Sequence, residues 1–300
     1  MLLQQIINGL TLGAVYALIA LGYTMVYGIL ELINFAHGEI YMIGAYISII
    51  VIGYLTAIGF TIDNPFISIL IAMVVSMFFV SSYGFTMEKV AYKPLRNAPR
   101  LSPLISAIGV SIFLQNFVML TQGATDKVFP GVFSIEGFNI FNARVTYLQV
   151  FIIAVSVLLM FCLHLFVTRT RIGKAMRATA LDKRMASLVG INIDTVISIT
   201  FIIGSALAAA AGVMVAMYYG LVNYFIGYVA GIKAFTAAVL GGIGSIPGAM
   251  LGGVILGLVE SLCASYISSE YKDAFAFGLL IIILLLRPAG LLGRQVVEKA

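Results

Sequence analysis

In a chain of 300 residues that is 62% hydrophobic, the few polar side chains within apolar stretches stand out. Asn34, His37 and Glu39 fall within six positions around Gly38, in the stretch ELINFAHGE at residues 31–39. An imidazole and a carboxylate this close could line a path for a polar solute, form a gate or carry a coupling ion. The competing reading is structural: short polar side chains such as Asn34 satisfy backbone groups where a helix breaks. A second group lies in the C-terminal third. Lys233 and Glu260 are ionisable groups inside apolar segments, and Glu260 falls one helical turn after Gly257. They could pair with each other, or Glu260 could face a helix N-terminus; a structural pair is the simpler expectation. Between them, GGIGSIPG at 241–248 places Gly242, Gly244 and Ser245 where no regular helix can continue, a third candidate for a path or gate. Ser245 in its glycine turn could act as a nucleophile only with a histidine in reach. The two histidines, His37 and His164, lack that context, so no catalytic residue is assigned. Gln115 and Asn116 complete the set of buried polar candidates.

The elements that must position these residues are membrane helices. Only 10% of the residues are charged and the mean hydropathy is +1.10, against roughly 25% charged in soluble domains. Continuous apolar runs of about 20 residues, each able to cross the bilayer as a helix, exclude the alternating pattern of a membrane β-barrel. The expected architecture is all-α and polytopic, a single domain over residues 1–300. About eight transmembrane helices are expected, including segments broken or re-entrant near 31–39 and 241–248. The latter is read as two short helices meeting at a break within the membrane, tolerated only where protein or water covers the freed backbone. Gly9, Gly13 and Ala17 recur at intervals of four, as do Gly204, Ala208 and Gly212, Gly248 and Gly252, and Gly253 and Gly257. Such faces let helix backbones approach closely. The first ten residues carry no basic residue before the apolar run, so the first span is expected to stay in the mature protein.

Charge fixes the orientation. Thirteen of the 17 Lys and Arg residues fall in three segments: a loop at 88–100, a stretch at 168–194 and the tail from Arg287. The positive-inside rule places all three in the cytoplasm. Pro94 and Pro99 are expected to break any helix in the first. The loop at 122–146 has balanced charge and is assigned to the periplasm with some ordered structure. Nothing in the net charge of +5 argues for nucleic acid, since the excess sits in membrane loops. Cys162 and Cys263 lie inside apolar segments and read as buried small residues rather than a disulfide or metal site.

The 168–194 stretch, TRTRIGKAMRATALDKRMASLVGINID, reads as one basic amphipathic helix. Ala178, Leu181, Met185, Leu188 and Val189 share a face, Arg177, Lys183 and Arg184 lie off it, and Gly190 ends the pattern. Such a helix could rest on headgroups or fit a groove on another protein. The chain contains no G-x-x-x-x-G-K-[ST], so it has no P-loop with which to bind ATP itself.

Three segments together resemble the permeases of bacterial branched-chain amino acid ABC importers: GLTLGAVYALIALGYTMVYGILELINFAHGEIYMIGAY at 9–46, RTRIGKAMRATALDKRMASLVGINID at 169–194 and KAFTAAVLGGIGSIPGAMLGGVILGLVES at 233–261. Length and short tails are similar to the smaller permease of the high-affinity leucine/isoleucine/valine system. The resemblance covers essentially the whole chain, in order. It implies a multi-pass protein of the bacterial inner membrane that pairs with a second, homologous permease as a heterodimer. It further implies two ABC ATPase subunits, which bind ATP and Mg, and a periplasmic substrate-binding protein, with no cofactor on this chain. It also implies that residues 173–190 insert a short coupling helix into an ATPase cleft. The positions concerned are Gly173, Ala175, Arg177, Ala178, Leu181, Asp182, Met185, Leu188 and Gly190. The same family includes importers of urea, short-chain amides and other amino acids. A self-contained channel or ion-coupled secondary transporter, using His37, Glu39 or Glu260, is the reading from another class.

Overall fold

The computed structural model describes residues 1–96, 98–99, 101–132, 136–141 and 143–293. Arg100, Arg294 and Lys299, assigned to the cytoplasm from sequence, lie outside the described residues. The chain is a helical bundle. Seven helices are long and apolar enough to span a membrane: α1 (Leu2–Leu30), α2 (His37–Ala57), α4 (Pro65–Met87, continuing to Leu95), α5 (Leu101–Gln122), α6 (Tyr147–Arg169), α9 (Ile193–Tyr219) and α11 (Ile246–Tyr266). Two shorter apolar helices, α10 (Ile226–Gly241) and α12 (Lys272–Leu286), complete the bundle. A single turn, α3 (Phe60–Asp63), joins α2 to α4, and α7 (Arg171–Leu181) and α8 (Lys183–Leu188) link α6 to α9.

Helices α1 and α9 form the centre. Their most apolar windows are 72% and 78% buried, while those of α4, α5 and α6 are mostly exposed and form the lipid-facing rim. The glycine faces read from the sequence make the central contact. A Cβ on Gly257 would lie 2.3 Å from the Gly13 nitrogen, and one on Gly253 would lie 2.4 Å from the Ala17 nitrogen. Helix α1 therefore touches α11 backbone to backbone, over the most extensive helix pair in the molecule. That is how membrane helices gain contact when lipid removes the hydrophobic drive. Gly212 does the same for α9 and α2, where a Cβ would lie 2.2 Å from the Tyr41 carbonyl oxygen.

Sidedness follows from contacts between the loops. Lys183 reaches the Leu30 carbonyl at the end of α1, and Lys93 pairs with Asp194 at the start of α9. The C-terminal ends of α1 and α4 and the N-terminal end of α9 thus share the basic, cytoplasmic face. At the other face Gln4 accepts from the Arg144 backbone N–H, and the 122–146 loop contributes to two small β-ribbons, one of them closed by residues after α9. β1 (Lys127–Val128) pairs with β4 (Leu221–Val222), and β2 (Gly137–Ile140) pairs with β3 (Ala143–Thr146). Thr146 and Gln149 then form a reciprocal capping box that starts α6.

Three expectations change. The chain does not leave its helical path at Pro94: it passes from α4 through a π-helical turn, Glu88–Tyr92, into a 3-10 turn, Lys93–Leu95. Proline is accommodated there because it stands in the first turn of the 3-10 segment, where its missing N–H is not needed. The glycine run at 241–248 is not an intramembrane break. Gly28 approaches the Gly244 Cα, and Gly244 lines a small cavity with Met176 and Arg177. This puts the reversal at the cytoplasmic face, with α10 and α11 as an antiparallel hairpin. Gly242 and Gly244, at φ of +105° and +91°, supply the conformations that the turn demands. Finally, Cys162 is exposed and Cys263 half-buried, both free thiols, so neither is the buried filler expected from its apolar surroundings.

Candidate functional site

The cytoplasmic face carries the clearest functional geometry. The expected single helix is two. Asp182 leaves the helical path at φ −158° and caps α8, accepting from the N–H groups of Arg184 at 2.8 Å and Met185 at 3.0 Å. Gly190 closes α8 as expected: at φ +85° its N–H reaches Ser187, while that of Ile191 reaches Ala186, both carbonyls of the last turn. The buried side of α7 is Gly173, Met176 and Thr179. Gly173 sits against the Phe166 and Val167 carbonyls, where a Cβ would meet oxygen at 2.4 Å. Thr170 caps α7 by accepting from the Gly173 N–H, and Arg177 reaches back to the Thr168 carbonyl. Ala175 and Ala178 are half-buried. The apolar side chains of the expected stripe are exposed on both helices: Leu181 is 78% exposed, Met185 63%, Leu188 79% and Val189 76%. Four large apolar side chains exposed within nine residues at the cytoplasmic face are unusual on a surface that has no partner.

The second group is a re-entrant segment. Glu31 caps α1 in a left-handed conformation, its N–H on the Tyr27 carbonyl. Residues 31–36 then fold back into the bundle, because His37, at the start of α2, lies against Gly22. Gly22 is eight residues, about 12 Å, above the end of α1. A Cβ on Gly22 would lie 2.2 Å from the His37 Nε2, so only glycine leaves room for the ring. Tyr23 meets that ring edge-on at 4.8 Å. Asn34 builds the turn: its Oδ1 accepts from the Ala36 N–H at 3.1 Å and from the Tyr92 hydroxyl at 2.6 Å. The structural reading of Asn34 therefore describes its contacts. Gly38 crosses Gly227 and Gly231 of α10 at backbone contact. Glu39 is buried with one oxygen accepting from Ser111 of α5 at 3.2 Å and the other against Gly227.

The third group is an ion cluster where α1, α10, α11 and α12 meet. Lys233 lies 2.7 Å from Glu260 and 2.7 Å from Asp273, and Lys272 lies 3.6 Å from Glu260. The Tyr16 hydroxyl donates to the other Glu260 oxygen at 2.8 Å. The Lys233–Glu260 pair expected from sequence is present, and it is a network with two further charges.

The candidates do not converge. Asn34, His37, Gly38 and Glu39 form one group at half-depth, Glu260 belongs to the ion cluster, and Gly242, Gly244 and Ser245 form the cytoplasmic turn. Ser245 caps α11 by accepting from the Gly248 N–H at 3.2 Å, which accounts for a hydroxyl at that position. Asn116 donates to the Ile112 carbonyl of its own helix, and Gln115 is half-buried on the same helix. Sequence reasoning missed Arg96, which bridges the buried Glu88 to Asp194 while Ser198 donates to Glu88 at 2.9 Å. Nothing local links residue 96 to residue 194; only the helical extension past Met87 does. At the periplasmic face a cavity of about 580 Å³ opens between the ends of α1, α6 and α9 and residues 129–132.

The branched-chain amino acid transport system permease family matches residues 5–284 of the chain. The chain belongs to that family. Among relatives, it is 53% identical to the high-affinity branched-chain amino acid transport system permease protein LivH of Salmonella typhimurium and to that of Escherichia coli K12. It is 54% identical to the corresponding protein BraD of Pseudomonas aeruginosa. Each alignment spans 99% of this chain and 97% of the relative. A branched-chain amino acid permease is a multi-pass protein of the cytoplasmic membrane. The bundle is built accordingly, with apolar rim helices around a core of close-packed glycines.

Proposed function

We propose that this chain is a permease subunit of an ABC importer that carries leucine, isoleucine and valine across the cytoplasmic membrane. ATP is hydrolysed on partner subunits. The observation that carries this reading is the exposed apolar stripe of Leu181, Met185, Leu188 and Val189 at the cytoplasmic face of a family permease. A groove on an ATPase subunit fits that stripe better than lipid does, because the stripe is carried on capped helices held by α6 and α9. The full assembly has a second homologous permease, two ATPases and a periplasmic substrate-binding protein.

The geometry gives a route for the power stroke. Gly173 seats α7 on the end of α6 without a side chain between them, so the two move together. Met176 and Arg177 border the cavity shared with Gly28 of α1 and Gly244 of the α10–α11 turn. A displacement of α7 by the ATPases therefore bears on α1 and on a turn whose glycines can change conformation. The α1–α2 re-entrant segment, with His37 and Glu39 at half-depth, moves with α1. The mostly apolar interior suits an aliphatic side chain, with few polar groups needed for the zwitterion.

Replacing Leu181 or Ala178 by aspartate tests this. In proteoliposomes with the full complex, either variant should retain membrane insertion and ATPase turnover but lose coupled uptake. Normal uptake in both variants would show that α7 and α8 do not dock an ATPase.

A further inference from the structure

Beneath the centre of the bundle, at the cytoplasmic face, lies a second cavity of about 400 Å³ that the route above does not use. Its walls come from four parts of the chain: the end of α1 with Leu32, the turn after α4, the start of α8 and the start of α9. Leu30, Leu32, Ile193 and Ile197 give it an apolar side. Lys93, Arg96, Lys183 and Asp194 give it a polar one, with three cations to one carboxylate.

The charges are not balanced among themselves. Asp194 is held by both Lys93, at 2.7 Å, and Arg96. The second carboxylate of the network, Glu88, is fully buried behind Arg96 and also has Lys89 at 3.5 Å. Among the described residues Lys183 meets only the Leu30 carbonyl, at 3.4 Å, which leaves most of its donor capacity open. The Nε of Arg96 is buried and makes no hydrogen bond among the described residues. Lys93 has one carboxylate partner and a side chain 43% exposed. A ligand completing this site must offer oxygen acceptors and negative charge at one end and a short aliphatic body at the other. Inorganic phosphate has no apolar part, and the lining offers no aromatic ring on which a nucleotide base could stack.

We infer that this cavity binds a small aliphatic carboxylate from the cytoplasm, either the imported branched-chain amino acid or its 2-oxo acid, and that occupancy slows the transporter. The identity of the ligand rests on the proposed function; the anion-plus-aliphatic chemistry rests on the cavity alone. The cavity lies between the end of α1 and the starts of α8 and α9; α1 belongs to the route above, and α8 follows α7 directly in the chain. A ligand bridging Lys183 on α8 to Lys93 beside α9 would hold them together, giving product inhibition from the inside.

The test uses the full complex in proteoliposomes, with binding protein and labelled leucine outside and ATP inside. The lumen is preloaded with leucine, with 4-methyl-2-oxopentanoate or with inorganic phosphate. Leucine, the oxo acid or both should lower the initial uptake rate and the ATPase rate together, and phosphate should lower neither. Which of the two organic acids acts identifies the source. Lys93→Gln should raise the inhibitory concentration about tenfold and Lys93→Arg should restore it. Calorimetric titration of the purified complex, without ATP or binding protein, reads the cavity independently of transport. There the wild type should bind the acid about tenfold more tightly than Lys93→Gln. Uptake that is normal but insensitive to both organic acids, or equal affinity in wild type and Lys93→Gln, overturns the assignment and leaves the import reading standing. Absent uptake of leucine in the wild type, with the calorimetric difference intact, overturns the import reading and leaves the cavity.

Discussion

Replacing Lys233 by methionine should destabilise the protein far more than replacing Glu260 by glutamine, although the two are partners in one ion pair. Glu260 is 2% exposed and is held by Lys233 at 2.7 Å and the Tyr16 hydroxyl at 2.8 Å. Without Lys233 its nearest cation is Lys272 at 3.6 Å, and its carboxylate stays buried with one neutral donor. Breaking a buried pair in this way costs about 3–5 kcal/mol, and Lys272 puts the present case near 3. Removing the Glu260 charge leaves a different remainder. Lys233 keeps Asp273 at 2.7 Å, and the amide of glutamine still accepts from Tyr16. Lys272 is 37% exposed and returns to water. The loss should be about 1 kcal/mol, the net worth of a hydrogen bond. Thermal unfolding of the detergent-solubilised protein, followed by helical circular dichroism, would rank the two. A Glu260→Gln variant as unstable as Lys233→Met would mean that Asp273 does not hold Lys233.

The glycine contacts give a matched comparison. Gly257→Ala pushes a methyl into the Gly13 backbone at 2.3–2.4 Å and should cost about 2–3 kcal/mol. Gly28→Ala meets only the Gly244 Cα, at 3.5 Å, and should be neutral or stabilising by about 0.5–1 kcal/mol in the same unfolding assay. Asn34→Ala removes the acceptor of both Ala36 and the buried Tyr92 hydroxyl, and should lower stability by about 2 kcal/mol. Ser245→Ala removes a helix cap and should cost about 1 kcal/mol. Its uptake should persist; a folded Ser245→Ala protein inactive in uptake would give that hydroxyl a role in transport.

Local patterns in the sequence were readable wherever one helix decides the outcome. The four-residue spacing of Gly9, Gly13 and Ala17 marks the face that meets α11, and Gly190 marks the end of α8. The Thr146–Gln149 start of α6 falls at the boundary that hydropathy sets. What the sequence hid depends on distant partners or on competition between local signals. The stripe from Ala178 to Val189 has helical spacing, but Asp182 prefers to cap the next turn, and so one helix becomes two. Pro94 signals a break, yet the chain coils on through it because Tyr92 is anchored to Asn34 and Arg96 to Glu88 and Asp194. The two-residue strands β1 and β4 pair through backbone alone, across more than ninety residues, and leave no side-chain pattern to read. Of the candidate path residues, Asn34 to Glu39 share one re-entrant segment, as their proximity in sequence requires. Proximity could not show that the 241–248 turn lies at the opposite depth from Glu260.

The central claim is that this chain helps move branched-chain amino acids at the expense of ATP. Uptake of labelled leucine into vesicles holding the full complex tests it most directly, with unlabelled valine, isoleucine, urea and short-chain amides as competitors. Uptake should require ATP, be suppressed by valine and isoleucine, and be untouched by urea or amides. Leucine uptake that proceeds without ATP, or a preference for urea or amides over valine, would contradict that claim.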